Sequence, residues 1–113
     1  DFYIETKNQK AFIEVKGVTL ENQGIALFPD APTQRGVKHI EELTAAADEG
    51  YLSYVVFVAQ MKGICCVMPN DAMHAEFGKA LREAQKAGVH ILAYDCFVKP
   101  DEIIMDEMIE VVL

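Results

Sequence analysis

Two almost continuously apolar runs, Tyr54-Val55-Val56-Phe57-Val58-Ala59 and Val89-His90-Ile91-Leu92-Ala93-Tyr94, most restrict what this chain can become. Short runs of this kind, rich in β-branched and aromatic residues, read as strands covered on both faces, and the first is expected at the centre of a sheet. Between them, residues from about Ala72 to Ala87 put Met73, Phe77, Ala80, Leu81 and Ala84 on one side at helical spacing. Glu76, Lys79, Arg82, Glu83 and Lys86 fall on the other side, and Gly88 stops the helix. Strand, helix and strand at this separation favour a right-handed crossover into a parallel neighbour. Ile64-Cys65-Cys66-Val67-Met68 is a further expected strand, His74 a surface residue near the helix start, and His90 a partly buried one.

The first third has a different rhythm. Phe12-Ile13-Glu14-Val15-Lys16-Gly17-Val18-Thr19-Leu20 alternates apolar and polar residues, as a half-buried strand does. Asp1 to Thr6 alternates likewise, and Lys7-Asn8-Gln9-Lys10 is turn-like, so an antiparallel hairpin is expected. Glu21-Asn22-Gln23-Gly24 and Ile25-Ala26-Leu27-Phe28 extend it into a second hairpin, and Pro29-Asp30-Ala31-Pro32 breaks regular structure. Thr33 is placed to N-cap a helix reaching about Glu49, with Gly50 as its stop. That helix carries Val37, Ile40, Leu43, Thr44 and Ala47 inward and Arg35, Lys38, His39 and Glu42 outward. The expected fold class is α/β, a mixed β-sheet with flanking helices.

The opening hairpin has chemical consequences. Alternation sends Glu14 and Lys16 to one face, and a turn near Asn8 and Gln9 draws Asp1 back beside them. Two carboxylates and a lysine are what a divalent-metal phosphodiesterase needs: hard oxygen ligands for Mg²⁺ or Mn²⁺, and a cation near the attacking oxygen. The same Glu-x-Lys spacing also suits an ion pair on a wet sheet face. Arg35 and His39, one helical turn apart, are either a solvated face or a phosphate-contacting one. Asp30 is either a further acid at the metal or a loop-fixing residue.

The run Phe12 to Leu20, the segment Phe28-Pro29-Asp30-Ala31-Pro32-Thr33-Gln34-Arg35-Gly36-Val37-Lys38-His39-Ile40-Glu41-Glu42-Leu43, the segment Ala84 to Tyr94 and the closing Val111-Val112-Leu113 resemble the C-terminal half of the sugar fermentation stimulation protein A family. That half is similar to the PD-(D/E)xK, restriction-endonuclease-like fold. The resemblance implies Asp1 and Glu14 as catalytic acids and metal ligands, the Val15 carbonyl as a further ligand, and Lys16 as the catalytic lysine. It also implies nucleic-acid contacts from Arg35, Lys38 and His39, a Mg or Mn cofactor, and DNA as partner in a regulator linked to sugar (maltose) metabolism. A prolyl residue often precedes the first aspartate of that motif, and here Asp1 opens the chain.

Residues 1–113 are expected to form a single nuclease-like domain, a fragment from which the family's N-terminal OB-like domain is absent. No run approaches the roughly 18 apolar residues of a membrane span, and a cytoplasmic setting without membrane contact is expected. Three cysteines, Cys65, Cys66 and Cys96, form an odd and partly adjacent set, which points to reduced thiols buried as small hydrophobes. A net charge of −8 opposes strong DNA binding by this segment alone, so the N-terminal domain is expected to contribute the basic surface. Three functions stay open: a metal-dependent nuclease, a non-enzymatic DNA-binding regulator, and a protein-interaction domain, including a homodimer.

Overall fold

The computed structural model describes residues 2–5 and 10–113, the first four as backbone only. Eight strands and two helices follow in the order β1 (Phe2–Glu5), β2 (Lys10–Val18), β3 (Leu20–Asn22), β4 (Ile25–Phe28), α1 (Gln34–Asp48), β5 (Leu52–Ala59), β6 (Cys66–Pro69), α2 (Ala75–Ala87), β7 (His90–Lys99) and β8 (Glu102–Val111). They build one mixed sheet in the order β1-β2-β5-β7-β8-β6-β4-β3. The pairs β2/β5, β5/β7, β4/β6 and β6/β8 are parallel. The hairpins β1/β2, β3/β4 and β7/β8 are antiparallel. The mixed α/β class, both opening hairpins and the parallel neighbours β5 and β7 therefore match the expectation, although the turn between β1 and β2 lies outside the described residues.

Both helices pack over one face. Val18, Val55, Phe57 and Ala93 from the sheet meet Val37, Ile40, Leu43, Phe77 and Leu81 from the helices in one apolar core. Phe28 bridges the layers, with ring centroids 5.6 Å from Phe57 and 5.2 Å from Phe77. The two helix starts are tied together at their entry. Thr33 Oγ1 accepts from the Gly36 amide, and the Thr33 amide donates to His74 Nδ1. His74 is thus a linking residue with a 10% exposed side chain, not the surface histidine expected.

Several expectations need correction. β5 is not covered on both faces: Ser53, Val55, Phe57 and Ala59 are buried while Leu52, Tyr54, Val56 and Val58 are half-buried, because helices lie on one side only. The buried hydroxyl of Ser53 finds no hydrogen-bond partner. α2 starts at Ala75, since residues 71–73 form a turn, and Met73 is exposed instead of inward. His90 is exposed and stacks on Tyr54 at 5.0 Å. Cys65 is exposed whereas Cys66 and Cys96 are buried, and all three are free thiols. The tail, whose runs Glu102-Ile103-Ile104-Met105 and Met108 to Leu113 read in the sequence as edge strands, is one continuous strand, β8, between β7 and β6.

β7 holds a buried charge, Asp95, which alternation places on the same face as Ala93. Its Oδ1 accepts from the Glu107 amide at 2.8 Å and its Oδ2 lies 3.0 Å from Lys62 Nζ. Lys62 also bridges to Asp106. Burial alone would raise the Asp95 pKa, but the Glu107 amide and the Lys62 ammonium outweigh it and hold the carboxyl below its usual value.

Candidate functional site

β2 lies beside β5 in parallel register, with Glu14 opposite Val55 and Lys16 opposite Phe57. Val55 and Phe57 face the helices, so the same alternation turns Phe12, Glu14 and Lys16 under α1. The charged pair is therefore not on a wet sheet face; Glu14 is only 8% exposed. The opposite face carries Val15, whose side chain is 40% exposed. Described pairing with β1 runs from Lys10 to Ile13, so Val15 sits beyond it along β2. Asp1, the other expected carboxylate, lies outside the described residues.

α1 supplies the roof. Its Thr33 cap sets the phase of the helix, and His39, Glu42, Leu43 and Ala46, at i, i+3, i+4 and i+7, form the stripe toward β2. With Phe12, Ile13 and Glu14 they enclose an open pocket of about 200 Å³. Lys16 Nζ stands 3.0 Å from Glu14 Oε1 and 3.2 Å from His39 Nδ1, and His39 Nδ1 stands 3.3 Å from the same Glu14 oxygen. These three side chains form a closed triangle beside the pocket. His39 is accordingly not on a solvated face as its helical phase suggested.

The protonation pattern follows from the geometry. Burial, then the charges of Lys16 and Arg35, lower the His39 pKa against a smaller opposing pull from Glu42, so the ring is neutral at pH 7. Nδ1 faces a donor, the Lys16 ammonium at 3.2 Å, and an acceptor, Glu14 Oε1 at 3.3 Å; assigning the shorter contact to the Nδ1 lone pair puts the ring proton on Nε2. Burial and the Arg35 guanidinium lower the Lys16 pKa as well. Arg35 is thus electrostatically joined to the site, whereas Lys38 is exposed on α1 and does not line the pocket. Asp30 is exposed in the loop after β4.

Glu14 offers the pocket a carboxylate oxygen, the kind of hard ligand a divalent cation takes. Among the described residues no three His, Cys, Asp or Glu side chains converge as a metal-binding group. Glu42 and Phe12 were not picked out from the sequence as pocket residues. Glu42 was legible only through its one-turn spacing from His39, and Phe12 only through sharing a strand face with Glu14.

A family model described as the sugar fermentation stimulation protein RE domain matches residues 1–102. The sugar fermentation stimulation protein homolog of Clostridium beijerinckii is 55% identical over 113 residues, covering 100% of this chain and 50% of that protein. The homolog of Ruminiclostridium cellulolyticum is 53% identical over 111 residues, covering 98% of this chain and 49% of its own length. Among solved structures, "The structure of Pyrococcus Furiosus SfsA in complex with Ca2+" superposes with a TM-score of 0.92 at 30% identity, over 100% of this chain and 49% of the other. The chain spans about half the length of the curated relatives it matches.

Proposed function

The chain belongs to the sugar fermentation stimulation protein family, and from that premise we propose that it is the nuclease-like, divalent-metal-binding part of a DNA-binding protein, centred on Glu14 and Lys16. The observation that carries this reading is the near-complete burial of Glu14 against Lys16 at an open pocket. Taking two charges from water costs more than an apolar pair in the same space, so a purely structural origin explains this pair poorly. The Ca²⁺ in the Pyrococcus furiosus structure supports a divalent cation, because Ca²⁺, Mg²⁺ and Mn²⁺ share a taste for oxygen ligands.

Asp1, Glu14 and the Val15 carbonyl would hold Mg or Mn. When bound, such an ion polarises a phosphoryl oxygen and lowers the pKa of water. Lys16 donates hydrogen bonds to the anionic oxygens of a phosphodiester, and His39, accepting from Lys16, holds that ammonium in place. Arg35 and Lys38 reach outward to neighbouring phosphates, as charged groups that bind without reading sequence. The remainder of the longer protein supplies the basic surface that offsets a charge of −8.

One observation favours a second reading, a protein-interaction surface or homodimer. Phe97, Val98, Ile103, Met105 and Met108 are all about half exposed on the β7/β8 ribbon.

The experiment is a titration of Mg²⁺ and Mn²⁺ into the full-length protein with labelled single- and double-stranded DNA and RNA, with Lys16→Ala in parallel. Metal-dependent cleavage abolished by the substitution is expected. Binding without cleavage in every metal refutes the nuclease and leaves a non-enzymatic regulator of sugar (maltose) metabolism. Cleavage that survives Lys16→Ala removes this site from the chemistry.

A further inference from the structure

The pocket beside the triangle has a chemistry that a phosphate site does not require. Its volume of about 200 Å³ lies below the roughly 300–1,000 Å³ of sites for drug-sized ligands, so it accepts one small ring system and not a whole nucleotide. Phe12, Leu43 and Ala46 give it apolar walls, and Phe12 is braced edge-on by Tyr51 at a centroid distance of 5.4 Å. The polar groups on it are Glu14, Glu42 and His39. Two carboxylates repel a phosphate from the interior and call for a ligand that donates hydrogen bonds, while His39, whose Nδ1 is taken up in the triangle, leaves Nε2 to meet the same ligand. A planar, largely apolar ring whose edge carries both donors and acceptors is a nucleobase.

The geometry points to a binding site for one unpaired nucleobase between β2 and α1, its ring against Phe12, Leu43 and Ala46 and its polar edge on Glu42 and His39. The inference rests on the proposed nucleic-acid reading and narrows it. Glu14 and His39 belong both to the pocket and to the triangle, so a phosphate held at Lys16 leaves its neighbouring base at the pocket mouth. In a duplex that base is stacked and its edge is paired, so only a single strand or an extruded nucleotide fits. The substrate class is accordingly single-stranded or locally unpaired nucleic acid.

The test is fluorescence-anisotropy binding of the full-length protein in Ca²⁺ to three labelled probes: a deoxycytidine homopolymer, an abasic strand of equal length and charge, and a duplex. The homopolymer is expected to bind about tenfold more tightly than either other probe, the gain typical of stacking one base on an aromatic group. Ala46→Trp, which fills the pocket from α1, is expected to bring the homopolymer-to-abasic affinity ratio down to about one. Glu42 is exposed, so Glu42→Ala keeps the fold and is expected to shrink the homopolymer-to-abasic ratio. Equal affinity for homopolymer and abasic strand, or a ratio unchanged in Glu42→Ala, overturns the base pocket and leaves the metal site standing. Failure to bind any probe overturns the nucleic-acid reading and the pocket with it.

Discussion

Asp95 offers the sharpest stability experiment, because each of its partners is defined. Its side chain is 5% exposed, and it joins the Glu107 amide on β8 to Lys62 in the loop after β5. Asp95→Asn keeps an oxygen for the Glu107 amide but presents an amide to the Lys62 ammonium, which loses a charge-assisted bond. Such bonds contribute about 1.5–3 kcal/mol. Lys62 is 35% exposed, so solvent screening brings the expected cost down to about 1–2 kcal/mol. Asp95→Ala also strips the Glu107 amide of its acceptor, raising the cost to about 2–3 kcal/mol. At about 2.1 cal/mol/K of unfolding entropy per residue, 1 kcal/mol corresponds to roughly 4 °C for a chain of this size. Thermal melts followed by circular dichroism are therefore expected to fall by about 4–8 °C for Asn and 8–12 °C for Ala. The sign of the pH dependence follows from the depressed carboxyl of Asp95. Its contribution is fully present above the unfolded value of about 4 and is lost as pH falls through the lower folded value. The gap between wild type and Asn should thus hold from pH 6 to 8 (about two units and more above that value) and close as pH falls below about 4. An Asn variant as stable as wild type at neutral pH, or a gap that persists in acid, refutes the reasoning.

Four further outcomes are expected. Phe77→Ala removes a fully buried ring that packs on Phe28 and should cost about 3–5 kcal/mol in urea melts. Gly36→Ala should destabilise by about 1–2 kcal/mol despite better helix propensity. A Cβ there would stand 2.8 Å from the Thr33 hydroxyl and 3.3 Å from the Phe77 ring, displacing the cap or the ring. Gly78→Ala should instead be near neutral: its Cβ displaces the Asp71 carboxylate from Arg82, an exposed pair worth about 0.2–1 kcal/mol, against a gain of about 1 kcal/mol in helix propensity. Ca²⁺ at a hundredfold excess over Kd is expected to stabilise the full-length protein by about 2.7 kcal/mol, read as a rise in melting temperature, and Glu14→Gln to abolish that rise. A Ca²⁺ shift retained in that variant would move the ion elsewhere.

Much of the molecule follows from local pattern. The helix from Thr33 to Gly50 was legible because its cap, its periodicity and its stop agree, and β5 and β7 because apolar runs of that length have few other uses. Glu14 and Lys16 were placed on one strand face by alternation, which is geometric and needs no partner. The site was legible only in part. The sequence carries His39 at a position whose helical phase suggests solvent, and His74 at a helix start where a surface residue is the ordinary expectation. What altered them is the packing of α1 across β2 and of one helix start on the other, contacts between residues 23 to 41 positions apart.

The same division runs through the whole protein. Periodicity, caps and turn residues determine strands and helices because they act within a few residues of one another, and they suffice for the mixed α/β class and for the pairing of an acid with a lysine. Which face of β2 is dry, that Asp95 is met by Lys62 and the Glu107 amide, and that the His39 imidazole lies against Lys16 are decided only when distant segments pack. Burial is a property of the assembled layers, and desolvation turns an ordinary surface ion pair into a site.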